Sequence, residues 1–434
     1  MKKIKQISIL LVLCTTLLHA QGKMSLEQCI AYGIENNITL QQMQGNKEIL
    51  QTDTRLIKNS RLPQAEVGLS QRFNIGRSIN RDNLYEDVSS HITNMSLNVE
   101  MPLFDGFATK YQLKANEANI RVSEAEINTK REELILNITN LFYRTAIYKE
   151  ILETIKEQKK LSIEQIKFTK KKIEAGVMSR HALAELEAQL ASDEFQITEA
   201  EGNIEFALIE LAQLMNYNDN IDKFDIQIDT VTDTNNIINH SYISDTGLFP
   251  QIKVAQYQIE SEKWNYKKIK NQLLPLLSVG SSIGSSYYKH SGIINAPFKE
   301  QFKNNQQTYI YASLSIPIFE KFNTRNSFRR KKIEIRNYTF SLQEVRNNLL
   351  AEILKSRKEL SNAHQKVTAA QKTLQAREEA YQYSVERFRA GKLSVYELLQ
   401  TSQKLTESRS QTIQTKYELA YKQKVYEYYM RHHL

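Results

Sequence analysis

Residues able to do covalent or metal chemistry are few, and their spacing is wrong for it. Two cysteines, Cys14 and Cys29, allow neither a disulfide scaffold nor a thiolate zinc cage. His432 and His433 could form a metal-binding pair or simply belong to a disordered terminus, and His181 could be a pH sensor or an exposed polar residue. No nucleophile–base pair, metal-ligand spacing or phosphate-binding glycine loop occurs, so the sequence implies no cofactor and no enzyme activity. What remains is charge. Lys170-Lys171-Lys172 could meet an acidic partner surface, and Arg329-Arg330-Lys331-Lys332 could meet anionic lipid head groups; either run could equally be a solvated helix face. Ser394 followed by Glu397 has the spacing of a helix capping box.

The elements that must hold these residues are mostly long helices. Of 434 residues, 41% are hydrophobic and 25% charged, too polar for a polytopic helical membrane protein. Gly (13) and Pro (6) are too scarce for a loop-rich all-β domain or a large parallel α/β enzyme. Residues 1–20 read as an export signal: Lys2, Lys3 and Lys5, an apolar run from Ile7 to Leu18, and a cleavage point near Ala20. Its removal takes three lysines from a net charge of +9, leaving +6, and leaves Cys29 as the sole thiol, read as a small buried hydrophobe. A mildly basic exported chain is a poor nucleic-acid binder.

The chain is also duplicated. Asn59, Pro63 and Gly68 recur as Asn271, Pro275 and Gly280, each 212 residues on. Pro102-Leu103-Phe104 recurs as Pro317-Ile318-Phe319, and Ala175-Gly176 as Ala390-Gly391, both 215 on. The expected division is a first repeat over 21–215, an Asn/Asp-rich linker over 216–245 and a second repeat over 246–434.

Between the two prolines of each repeat the apolar period becomes two, which predicts strands near 64–76 and 91–102, then 276–288 and 308–318. Each is long enough for a tilted transmembrane strand, with Phe73, Phe104, Tyr287, Tyr309 and Phe319 toward the ends. Four strands leave two open edges, which lipid does not tolerate. Copies of the chain would have to complete a barrel: two give eight strands, three twelve, four sixteen. The competing reading is a soluble amphipathic sheet covered by helices.

From about 106 to 173 there is no Pro or Gly after the joint, and Leu113, Ile120, Ile127, Leu134, Leu141, Tyr148 and Ile155 recur every seven residues. Ile353, Leu360, Val367, Leu374, Tyr381 and Phe388 do the same. Such columns are coiled-coil seams. Shorter helices near 25–60 and 180–215 match one long helix when laid end to end. Gly176 and Gly391 end the long helices, and Ser179 and Ser394 cap the returning ones.

Ser25-Leu26-Glu27-Gln28-Cys29-Ile30-Ala31-Tyr32, the joints Pro-Leu-Phe-Asp-Gly-Phe and Pro-Ile-Phe-Glu-Lys-Phe, and the turn from Arg389 to Leu399 resemble the TolC family of outer membrane efflux proteins over essentially the whole mature chain. The resemblance implies a mainly α protein with a transmembrane β part: a homotrimer with a twelve-stranded outer-membrane barrel, an antiparallel coiled-coil tunnel in the periplasm, and a mid-height belt from the linker and C-terminal tail. It implies an exit duct for drugs or polypeptides, working with a periplasmic adaptor and an inner-membrane RND or ABC transporter, in contact with outer-membrane lipid. Ala175, Gly176, Val177, Met178 and Ala390, Gly391, Lys392, Leu393 correspond to the adaptor-docking tips, and Pro63, Pro102, Pro275 and Pro317 to the strand–helix joints. Of the two acidic gate positions after the second tip, the sixth is Glu397 but the ninth is Gln400; after the first tip the ninth is Glu185 and the sixth Ala182. Leu393 replaces the family's basic tip residue, with Lys392 adjacent. Glu397 also fits pure capping, and Glu185 a solvated position. The rival function is an exported coiled-coil scaffold without a channel.

Overall fold

A computed structural model describes residues 23–79, 83–87, 89–218, 220–228, 247–291 and 294–431. The expected export signal with Cys14, most of the linker, and His432 and His433 lie outside them. The chain forms two compact units, each drawing on both halves of the sequence. One takes 1–44, 126–252 and 345–434; the other takes 45–125 and 253–344.

The second unit carries a four-stranded antiparallel sheet of β1 (Gln64–Asn74), β4 (Ser90–Phe104), β5 (Leu276–His290) and β6 (Gln307–Ser315), in the order β1-β4-β5-β6. A small ribbon of β2 (Arg77–Ile79) and β3 (Tyr85–Asp87) sits within the β1–β4 connection. The register places Val67, Leu97 and Ile283 in one row and Gly68, Ser96 and Gly284 in the next. Alternation therefore gives one apolar and one polar face. Pro63 and Pro275 directly precede β1 and β5, where a missing N–H costs no ladder bond. Pro102 lies inside central β4, tolerated because the register shifts there between Pro102 and Phe104. β6 stops at Ser315 rather than near 318, since Pro317 cannot donate.

Eight helices fill out the fold: α1 (Leu26–Asn36), α2 (Ile38–Asn59), α3 (Ala108–Glu174), α4 (Arg180–Met215), α5 (Pro250–Lys270), α6 (Phe298–Asn304), α7 (Asn323–Arg389) and α8 (Val395–Arg431), counted among the described residues. The long pair, α3 and α7, each have 67 residues, roughly 100 Å. The expected single helix over 25–60 is two. The Asn37 side chain accepts from Leu40 N–H at 3.1 Å, capping α2, while its own N–H closes α1 onto Gly33 O.

In the first unit the apolar seams close as cores. Cys29, Leu134, Ile138, Phe142, Leu211, Met215 and Tyr417 form one buried cluster joining α1, α3, α4 and α8. α1 approaches α3 so closely that a Cβ on Gly33 would stand 2.5 Å from Ile138 Cδ1. The described start of the linker packs here too: Met24 N–H donates to Asp225 O and Gln227 N–H to Met24 O, both at 2.9 Å, and Lys149 pairs with Asp225.

Candidate functional site

The two glycine turns have the same construction. Gly176 (φ +71°) and Gly391 (φ +73°) hold left-handed conformations that a side chain would strain. Gly176 N–H donates to Ile173 O at 2.9 Å and Val177 N–H to Lys172 O at 2.8 Å; Gly391 to Phe388 O and Lys392 to Arg387 O repeat this at 2.9 and 2.8 Å. Each is a Schellman closure. Ser179 Oγ accepts from Ala182 N–H at 3.4 Å. Ser394 and Glu397 complete a full capping box: Ser394 Oγ accepts from Glu397 N–H at 3.2 Å, and Glu397 Oε2 accepts from Ser394 N–H at 3.0 Å. These bonds, the backbone one first, hold the exposed Glu397 carboxyl below the usual range, with Arg387 adding attraction. Its charge and its capping role thus coexist.

Both turns anchor in one core of Ile166, Leu186, Tyr381, Phe388, Val395, Leu398 and Leu405, against which Met178 and Leu393 pack half-buried. Ala175, Gly176, Val177, Ala390, Gly391 and Lys392 remain exposed beside them. Glu185 is half-buried and meets the exposed His181 at 3.3 Å, while Gln400 is exposed. Leu161, Gln165, Phe168, Tyr381, Phe388 and Leu398 line a neighbouring cavity of about 440 Å³.

About 20 Å along the helices from the turns lies a buried polar layer that the sequence reading missed. Asp193, 1% exposed, accepts from Ser162 Oγ at 2.6 Å and Gln189 Nε2 at 2.8 Å. Gln158 continues the layer, accepting from Ser402 Oγ at 3.0 Å. It ties α3, α4 and α8 at one register, as buried polar residues do in coiled coils. The available signal was polar residues four apart, Gln158/Ser162 and Gln189/Asp193, interrupting apolar seams.

The sheet's two faces differ sharply. On the polar face, Ser282 Oγ donates to Asn98 Oδ1 at 2.6 Å and Ser286 Oγ to Asn94 Oδ1 at 2.8 Å. Tyr311 lies over Gly280 so closely that a Cβ there would stand 2.4 Å from its ring. The opposite face exposes Val67 (68%), Leu69, Met95, Leu97, Ile310 (82%) and Leu314. This face is not wholly bare. The seven-residue α6 lies across the apolar face, where Ser285 Oγ donates to Phe302 O at 2.6 Å. It leaves a cavity of about 380 Å³ lined by Val67, Met95, Leu97, Ile283, Phe302 and Lys303. About two turns of helix in a strand connection have too few residues to announce themselves by periodicity.

At both joints bulky residues take positive φ: Phe107 at 63° after Gly106 at 64°, and Lys321 at 49° before Phe322 at 60°. Each is held by an edge-to-face aromatic pair, Phe104–Phe107 at 5.1 Å and Phe319–Phe322 at 5.5 Å. Thr109 N–H donates to Asp105 Oδ2 at 2.8 Å, and the Thr109 and Thr324 hydroxyls bond Asp105 and Glu320. Burial opposes ionisation of Asp105, but the Thr109 bonds prevail and keep its carboxyl below the usual range.

The fold is thus a duplicated plan of antiparallel strands with one greasy face, joined to 67-residue helices closed by matched glycine turns. The family model for outer membrane efflux proteins matches residues 33–217 and 249–424. The chain belongs to that family, as its resemblance to TolC proteins implied, and is an outer-membrane protein. Comparison with curated proteins gave no match. Among solved structures, the chain is similar to the CmeC outer membrane channel of Campylobacter jejuni, with 17% identity, TM-score 0.77, and coverage of 94% of this chain and 86% of that one. It is also similar to the outer membrane protein VceC of Vibrio cholerae (14%, TM-score 0.75, coverage 93% and 95%). The open-state MtrE outer membrane channel of Neisseria gonorrhoeae matches as well (16%, TM-score 0.72, coverage 93% and 88%).

Proposed function

We propose that this chain is the channel-tunnel of a tripartite efflux or type I secretion system, assembled as a homotrimer whose twelve strands close one barrel. The carrying observation is the sheet: β1 and β6 each have one unpaired edge, and an exposed apolar face backs onto a hydrogen-bonded Asn/Ser face. In lipid that geometry is viable only if neighbours supply the missing edges. The polar face then lines the lumen. Exposed apolar residues on the helices, among them Phe195, Phe206, Phe340 and Leu354, fit the same assembly, since a monomer gives them no cover.

The two turns, 175–178 and 390–393, are the docking site for a periplasmic adaptor, which connects the duct to an RND or ABC transporter in the inner membrane. Glu397 and Glu185, repeated around the threefold axis, favour cations at the periplasmic mouth. Gln retains the reciprocal cap with Ser394 while removing the charge. The Glu185→Gln/Glu397→Gln pair should therefore reduce cation-over-anion selectivity, and block by divalent cations, in planar bilayers with assembly intact. Unchanged reversal potentials would remove both residues from the gate.

A further inference from the structure

Trp264 on α5 is the chain's single tryptophan. Two ammonium groups lie against its indole: Lys114 Nζ from α3 at 4.3 Å and Lys267 Nζ at 4.2 Å from the ring centroid. Tyr111 stacks on the same ring, with centroids 6.1 Å apart and planes at 18°. The indole N–H faces Glu260 at 3.4 Å, and Glu260 is itself paired with Arg121 at 2.7 Å. Neither lysine has a carboxylate within ion-pair distance among the described residues, so two positive charges converge on one aromatic platform whose neighbouring carboxylate, Glu260, is engaged by Arg121 and the indole N–H. The basic run at 329–332 is differently placed: Lys331 pairs with Glu262 and Glu334, each at 2.6 Å, and Arg330 with Glu334 at 2.8 Å.

The position of this pair suits a head group. Lys267 is three residues before the end of α5, which leads into β5, and Lys114 six residues after the start of α3, which follows β4. Those steps are about 5 and 9 Å along helices. A head-group layer is roughly 5–8 Å deep, and lysine stems extend toward it while their indole and tyrosine neighbours favour the interface.

We propose that Lys114, Lys267 and Trp264 form a binding site for the phosphate of an anionic phospholipid in the periplasmic leaflet. The site rests on the outer-membrane placement of the sheet. The two lysines divide the phosphate charge between them, and the indole edge and Tyr111 pack the glycerol and upper acyl carbons. The lipid so held links α3 to α5 just below the barrel.

Because Trp264 is the only tryptophan, its emission reports on this site alone. The full chain in zwitterionic-detergent micelles is titrated with phosphatidylglycerol, phosphatidylcholine and inorganic phosphate. A saturable emission change is expected with phosphatidylglycerol only. In Lys114→Gln/Lys267→Gln its midpoint should rise roughly thirtyfold, the worth of two lysines facing an anionic surface. Lys114→Arg/Lys267→Arg should restore it, which separates lost charge from lost folding. No response, an equal response to phosphatidylcholine, or no effect of the Gln pair would overturn the site. An equal response to inorganic phosphate would overturn its assignment to lipid. Conductance of the same preparation in planar bilayers is read separately: a conducting channel with a silent Trp264 refutes this site alone, and a lipid response without conductance refutes the channel alone.

Discussion

At the residue scale, most of what the sequence offered as chemistry turns out to be conformational. Cys29 is fully buried between α1 and the α3/α4 seam, and burial pushes its thiol up to about 12, with backbone bonding offsetting part of this. Native protein should therefore resist maleimide at pH 7–8 for hours, while denatured protein labels at once; rapid native labelling would contradict the packing. Glu397 is legible twice over, as a cap and as a charge, because Ser394-x-x-Glu397 specifies its bonds without help from distant residues. Its carboxyl lies below the ordinary value, so the capped turn holds its full stabilisation above the unfolded carboxylate range, near pH 4.3, and loses it only as pH falls through the lower folded value. The part of cation selectivity that Glu397 supplies should accordingly stay level from pH 7 to about 5 and decline only in more acid solution. Reversal potentials that drift between pH 7 and 6 would assign selectivity to another group.

Among the elements, long ones with a strict period were readable and short ones with mixed signals were not. The seven-residue columns located α3 and α7 because Ile127, Leu134 and Ile155, and Ile353, Leu360, Val367 and Phe388, are buried against neighbours and must be apolar. Alternation located the four sheet strands for a different reason, since Val67, Leu97 and Leu314 are exposed on one face while Asn and Ser hydrogen-bond on the other, whereas α6 and the β2–β3 ribbon carry no period long enough to detect. The break at Asn37 depends on one side-chain bond, and Asn also occurs within helices. The Asp193 layer was hidden by its polarity on otherwise apolar seams. Removing its carboxylate strands Ser162 and Gln189 in a buried space, so Asp193→Ala should destabilise by about 1–3 kcal/mol in urea unfolding of the helical part. Asp193→Asn, which can keep an acceptor for the Ser162 hydroxyl, should cost less. An Asp193→Ala midpoint equal to the parent's would mean that the layer is hydrated rather than sealed.

For the molecule as a whole, the sequence reached the fold class because duplication made its marks self-checking: each joint and each turn occurs twice in the same order. It could not reach the number of copies, since strand arithmetic permits eight, twelve or sixteen and the interfaces lie beyond a single chain. The apolar face of the sheet is the feature on which membrane insertion depends. Asp at Leu97 and Leu314, both exposed there, should block assembly in the membrane, at about 2–4 kcal/mol for a charge at mid-bilayer and less for Asp than for Lys or Arg. A scaffold with a soluble sheet would tolerate both. The most direct measurement is to purify the full chain from outer membranes and record single-channel currents across a planar bilayer, with its mass determined in the same detergent. The expected result is a heat-resistant trimer with discrete, cation-preferring conductance, abolished by Leu97→Asp/Leu314→Asp. A soluble monomer that never conducts would contradict it.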